Sequence, residues 1–180
     1  MEPFQYDSFT DLARHRRSIR AFTTQKIPED VVVELMKAPL LAPSSKSRRP
    51  WDFVLVDAPF LLHQLSECKV SGAQFIEQAA LAVVVTVNKG LSDTWIEDGA
   101  VASTMILLQA ESLGLGGCWV QIRLRGREDG TPAGNIVREI LNIPDTMEVL
   151  SIIALGYKAQ ERKPVADDKL LWEKIHINSF

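Results

Sequence analysis

The chain has 180 residues, 46% of them hydrophobic and 24% charged, with a formal net charge of −3. That length predicts a single domain over residues 1–180 with a core that needs neither disulfides nor metal. The charge balance argues against a general nucleic-acid binder, and no apolar run of about 18 residues marks a membrane span. Met1–Asp11 lacks a basic stretch ahead of an apolar one, so no secretory signal and a cytoplasmic location are expected.

In chain order, Asp7–Arg16 reads as a helix with Phe9, Leu12 and Ala13 on one face, which leaves the first arginines at its end. Pro28, Glu29 and Asp30 open a second helix with the stripe Val31, Val32, Leu35, Met36, and Pro39 and Pro43 are expected to stop it. Asp52–Val56 and the valine-rich Ala80–Val87 read as strands, with Phe60–Glu67 and Ala73–Gln78 as helices between them. Strands are also predicted at Gly117–Ile122 and Val149–Gly156, and a helix over Thr131–Leu141 ahead of Pro144.

Thr94 and Glu97 have capping-box spacing, and Asp98 adds negative charge where the helix dipole favours it. The Gly99–Ala110 run that follows is almost entirely small or apolar, which predicts a helix covered on most sides and points to a second subunit, with a monomer's central core helix as the alternative. Arg123–Gly134 mixes glycine, proline and charge, and is expected to be a mobile excursion shaping a substrate pocket.

Several chemistries are disfavoured. Gly114-Leu115-Gly116-Gly117 follows a helix instead of opening one, so a dinucleotide loop is not supported. There is no phosphate-loop or serine-elbow motif. His15, His63 and His176 lack metal-ligand spacing, and Cys68 and Cys118, outside any C-x-x-C unit, read as reduced buried thiols. What stands out is polar charge concentrated in two short segments: Arg16-Arg17-Ser18-Ile19-Arg20, and Ala42-Pro43-Ser44-Ser45-Lys46-Ser47-Arg48-Arg49-Pro50-Trp51. Planar, permanently charged guanidinium groups suit an anion such as phosphate.

These two blocks, followed by Asp98 in an apolar helix that ends Leu113-Gly114-Leu115-Gly116 with Trp119 just beyond, resemble the nitroreductase family of flavoproteins from about Asp7 to Tyr157. The resemblance implies an α+β fold with a central, mainly antiparallel sheet flanked by helices. It implies an intertwined homodimer binding FMN non-covalently at the subunit interface, with the tail from about 158 to 180 packing on the partner. Arg16, Arg17 and Arg20 would hold the flavin phosphate and neighbouring oxygens, with Ser18 donating a hydroxyl. Pro43, Ser44, Ser45 and Ser47 would line the ring from the other subunit. Backbone around Gln121 and Ile122 would face flavin N5, and Lys169 would be a further phosphate ligand.

Many relatives carry Asn and Gln where this chain has Ser47 and Arg49. Arg49 could therefore direct charge toward the flavin N1 and C2 oxygen, the alternative being an exposed arginine without cofactor contact. Trp119 reads either as core or as a cover for the flavin. The implied activity is ping-pong transfer of hydride from NADH or NADPH to a small acceptor such as a nitroaromatic or quinone, with no side chain required as an acid–base catalyst and no catalytic metal. Two alternatives stand beside it: a non-catalytic flavin-binding or interaction protein of the same fold, and a binder of nucleic acid or acidic partners through Arg14–Arg20 and Lys46–Arg49.

Overall fold

A computed structural model describes residues 6–180. Its centre is a four-stranded sheet in the order β1-β2-β4-β3, with β1 at Trp51–Val56, β2 at Leu81–Asn88, β3 at Leu115–Gln121 and β4 at Met147–Tyr157. All three pairings are antiparallel, as the family resemblance implies. The inner strands β2 and β4 are buried almost throughout, because helices cover both faces.

Side-chain alternation sorts β2 between two cores. Ala82 and Val84 point toward α3 (Pro59–Ser66) and α5 (Ala133–Leu141), where they meet Leu62, Leu65, Ile136 and Val137. Leu81, Val83 and Val85 face the opposite layer, formed by α2 (Glu29–Leu40) and α4 (Trp95–Ser112), and pack with Leu35, Ile106 and Ala110. The β2–β4 register shifts between Val85 and Thr86, so Leu150 is the extra residue of a bulge. Its carbonyl accepts from both Ile122 N (3.3 Å) and Arg123 N (3.1 Å).

Several local expectations are revised. Thr94 precedes α4 without a capping hydrogen bond; its hydroxyl instead lies 3.1 Å from Ser92 Oγ and 3.4 Å from Asp98 Oδ2, because the buried carboxylate competes for it. Pro39 does not end α2 but sits inside its last turn, and the chain leaves helix after Leu40. The second helix expected between β1 and β2 is a 3₁₀ turn at Gln74–Gln78. The opening helix α1 spans Phe9–His15, capped by Ser8 Oγ accepting from Asp11 N at 3.1 Å, yet it buries no residue and leaves Phe9 exposed.

The 123–134 excursion is tied down by hydrogen bonds. Gly126 and Pro132 form a bridge, Arg127 N donates to the Thr131 carbonyl at 3.0 Å, Ala133 N to that of Arg125 at 2.8 Å, and Val70 N to that of Gly126 at 3.2 Å. A Cβ on Gly126 would lie 2.5 Å from the Thr131 oxygen, so the closure of this loop requires glycine there.

Candidate functional site

The arginine block runs along the outer edge of β3. Arg16 caps the C-terminus of α1 through its amide to the Leu12 carbonyl (2.9 Å), Ser18 forms a parallel bridge with Gly117, and Ile19 N donates to the Gly117 carbonyl at 3.0 Å. The Ile19 side chain is buried against Gly116, where a Cβ would come within 2.8 Å of it. One apolar residue in a polar run thus fixes the segment, leaving the side chains on either side of it outward.

Arg16 and Arg20 form no ion pair with a carboxylate among the described residues. Both lie near Cys118, as does the Ser18 hydroxyl: burial raises the Cys118 thiol above its ordinary value, while Arg20, Ser18 and Arg16 pull it down. Arg20 also rests 5.9 Å from the centre of the Phe75 ring. Arg17 is drawn elsewhere. Its guanidinium donates to the Lys163 carbonyl, beside the Arg14–Asp167 ion pair.

The end of β3 adds backbone polarity. Ile122 N is committed to Leu150, and in an antiparallel ladder bonded and non-bonded pairs alternate, so Gln121 turns its N–H and C=O away from β4. The outward Gln121 carbonyl accepts from Lys69 Nζ at 2.9 Å. The Gln121 side chain is fixed too, accepting from Trp119 Nε1 and donating to the Arg123 carbonyl, both at 2.9 Å. Trp119 is half-buried and packs against the core, in keeping with its core reading. Of the two residues whose backbone is expected to face flavin N5, Gln121 turns its backbone away from β4 and the Ile122 amide is bound to Leu150.

Lys69 was not legible as a site residue. It is buried, and desolvation lowers its ammonium pKa, with Arg125 adding to the effect and Cys68 opposing it. The sequence signal was faint: a lysine beside a cysteine in an otherwise ordinary helix-to-turn stretch.

The serine block lies at the other edge, leading into β1. Ser45 N donates to Asp98 Oδ1 (2.8 Å), and Ser92 Oγ donates to Asp98 Oδ2 (2.7 Å). Asp98 is therefore an anchor across the fold and more than a favourable charge at a helix start. Ser44 Oγ accepts from Arg49 N at 2.9 Å. Lys46, Ser47 and Arg49 have φ of 50°, 53° and 47°, left-handed backbone that costs non-glycine residues about 1 kcal/mol or more each. Pro43, Ser47 and Arg49 stand exposed, and Arg48 donates to the Leu91 carbonyl at 2.9 Å. Within one chain the fold sets the two blocks at opposite edges of the sheet.

The tail begins on its own chain. Ala159 N donates to the Ala21 carbonyl and Val165 N to that of Arg14, both at 3.0 Å. Lys169 is exposed and pairs with Asp168 at 3.6 Å. Beyond it, Leu171, Trp172, Ile175, Ile177 and Phe180 are all exposed. Among the described residues there is no cluster of metal ligands and no helix long and apolar enough to cross a membrane.

Comparison with known proteins matches the nitroreductase family model over residues 13–86 and 57–157. A protein of Archaeoglobus fulgidus, provisionally named NADH dehydrogenase/NAD(P)H nitroreductase, is 35% identical over 89% of this chain and 92% of its own length. The solved structure of an FMN-dependent nitroreductase from Clostridium difficile superposes with a TM-score of 0.92 at 40% identity, covering 94% of this chain and 98% of that one. The NADPH:FMN oxidoreductase of Vibrio harveyi, 22% identical over 95% of this chain and 77% of that one with a TM-score of 0.76, shares the fold. With the family model spanning most of the sequence and two such relatives aligned nearly end to end, this chain belongs to the nitroreductase family.

Proposed function

We propose that two copies of this chain form an FMN-dependent enzyme that takes hydride from NADH or NADPH and passes it to a small acceptor, a nitroaromatic or a quinone, in alternating half-reactions. The coarser part of this reading, a flavin oxidoreductase using FMN with NAD(P)H, follows from the family and its relatives. The observation that carries it on this chain is the β3 edge, where Arg16 and Arg20 lack carboxylate partners while Gln121 presents its backbone outward. That donor set fits a phosphorylated flavin: guanidinium groups for the phosphate dianion and an amide for the ring edge.

Bound FMN supplies the two-electron chemistry at N5. The chain supplies orientation. Arg16, Arg20 and the Ser18 hydroxyl hold the phosphate and nearby oxygens, and the Gln121 amide fixes the ring. Arg17 supports this grip indirectly, by tying the tail to the arginine segment. Ser44, Ser45 and Ser47, with Pro43 and Arg49, face the site of the other subunit, since they lie at the far edge of their own sheet. Two surfaces favour a dimer. The outer side of α4 leaves Val101 exposed and Leu108 half-buried, and the tail carries a run of uncovered apolar side chains from Leu171 to Phe180.

The visible spectrum of purified protein, recorded before and after anaerobic addition of NADH or NADPH, tests this reading. A flavin spectrum that bleaches with either donor and returns on adding acceptor is expected. Protein that stays colourless with added FMN, or yellow protein that neither donor reduces, would defeat it.

A further inference from the structure

The closed loop after Gln121 carries Arg123, Arg125 and Arg127, which together with Trp95 line a cavity of about 560 Å³ opening beside Ile122. Lys89 adds a fourth cation on that wall, and Glu148 is its one carboxylate. Glu148 is already engaged by Lys89 at 2.6 Å and Arg138 at 3.7 Å. No ion pair with a carboxylate reaches Arg123, Arg125 or Arg127 among the described residues.

Each of these arginines spends little of its donor capacity within the protein. Arg125 gives one N–H to the Leu124 carbonyl at 2.8 Å and Arg127 one to that of Glu67 at 3.1 Å, while Arg123 lies 5.6 Å from the centre of the Trp95 ring. A guanidinium has five N–H donors, so most remain for a ligand. Glu128 and Asp129 line the neighbouring cavity with Glu67; Asp129 feels the Arg127 charge, and its Oδ1 accepts from the Thr131 amide at 2.9 Å, so neither carboxylate lines the wall with Arg123 and Arg125. Arg127 stands between the two cavities and lines both. The backbone bonds that close the loop hold these charges in place before a ligand arrives, so less ordering accompanies binding.

We propose that this cavity binds the phosphorylated adenylate half of the nicotinamide donor, with Arg123 and Arg125 contacting phosphate and Arg127 at its rim. The inference rests on the oxidoreductase reading above. A nicotinamide placed against a flavin at Gln121 leaves the rest of the donor to extend over the adjoining surface, and that surface is this cation-rich cavity. Both the 2′-phosphate of NADPH and the pyrophosphate common to both donors have the required chemistry.

Titration calorimetry of the purified protein with 2′,5′-ADP and, separately, ADP tests the site without turnover. The expected result is binding that weakens roughly tenfold in Arg125→Ala and is partly restored in Arg125→Lys, the size of a lost charge-assisted hydrogen bond. Tighter binding of 2′,5′-ADP than of ADP assigns the site to the 2′-phosphate, and equal binding assigns it to the pyrophosphate. Steady-state kinetics should show KM for the donor rising in Arg125→Ala with kcat little changed. Absence of binding by wild-type protein, or binding unmoved in both Arg125→Ala and Arg123→Gln, overturns the proposal. FMN retention, read from the visible absorbance of the same samples, separately tests the oxidoreductase reading.

Discussion

At the β3 edge the arginine segment is held by its own backbone and by a buried isoleucine, so its charges project from a fixed rail. At the β1 edge the serine loop is held by the Asp98 carboxylate and by an Arg48 bond to the Leu91 carbonyl, and it adopts left-handed backbone at three non-glycine positions. The first edge resembles a finished half-site. The second is strained and exposed, and in the proposed dimer it faces the other chain. The comparison teaches that the two blocks serve one site only if two chains bring opposite edges together.

Removing residues 170–180 is the most severe way to break that arrangement. Burying two or three side chains such as Leu171, Trp172 and Ile177 on a partner would be worth roughly 1.5–3 kcal/mol each. The deleted chain should dissociate at concentrations at least a hundredfold higher than the full chain, as read by sedimentation velocity, and should lose FMN with it. A truncated protein that remains a flavin-loaded dimer would show that the tail does not join the edges.

Next in size is Asp98→Ala, which attacks the serine edge alone. It strands the Ser45 amide and the Ser92 hydroxyl, both within 2.8 Å of the carboxylate, and should cost about 3 kcal/mol in urea unfolding. Asp98→Asn keeps an acceptor for Ser45 and should cost less. Equal losses in the two variants would mean that packing, and not the acceptor, holds the loop.

The arginine edge can be sharpened residue by residue. Arg16→Ala and Arg20→Ala should each weaken FMN binding tenfold or more, as expected for a charge-assisted bond to phosphate, when followed by fluorescence titration. Arg17→Ala should weaken it less than threefold, because that guanidinium already serves the Lys163 carbonyl. An Arg17 effect as large as that of Arg16 would show that the tail gives way and all three arginines turn to the phosphate.

Strand positions were legible because β-branched runs and helix punctuation are local signals, seen at Val83–Val85 and at Pro28, whereas the antiparallel sheet came only from the family resemblance. The arginine and serine blocks were legible as charge concentrations, and the family resemblance supplied their order. Their separation across the sheet was not, since strand order is a long-range property. Lys69 was hidden for the same reason: its partner, the Gln121 carbonyl, lies 52 residues on. Thr94 misled because its capping pattern is local, whereas the buried Asp98 that captures its hydroxyl gains its importance from Ser45.

A further small effect, one of pH, lies at Cys68, whose thiol is fully buried next to Lys69. Burial pushes it up from 9.0 to about 11, opposed by the Lys69 charge. The folded state therefore keeps a proton that the unfolded chain releases, so this contribution is intact below pH 9 and is lost as pH rises toward 11. Between pH 8 and pH 10 the loss should be about 1 kcal/mol. Lys69 works in the opposite sense, since its lowered pKa lets stability rise as the ammonium loses its proton. The two are separated by comparing urea midpoints of the native chain and Cys68→Ala at both pH values. The variant should lose less stability than the native chain over this interval, and identical losses would show that the thiol does not titrate differently in the two states.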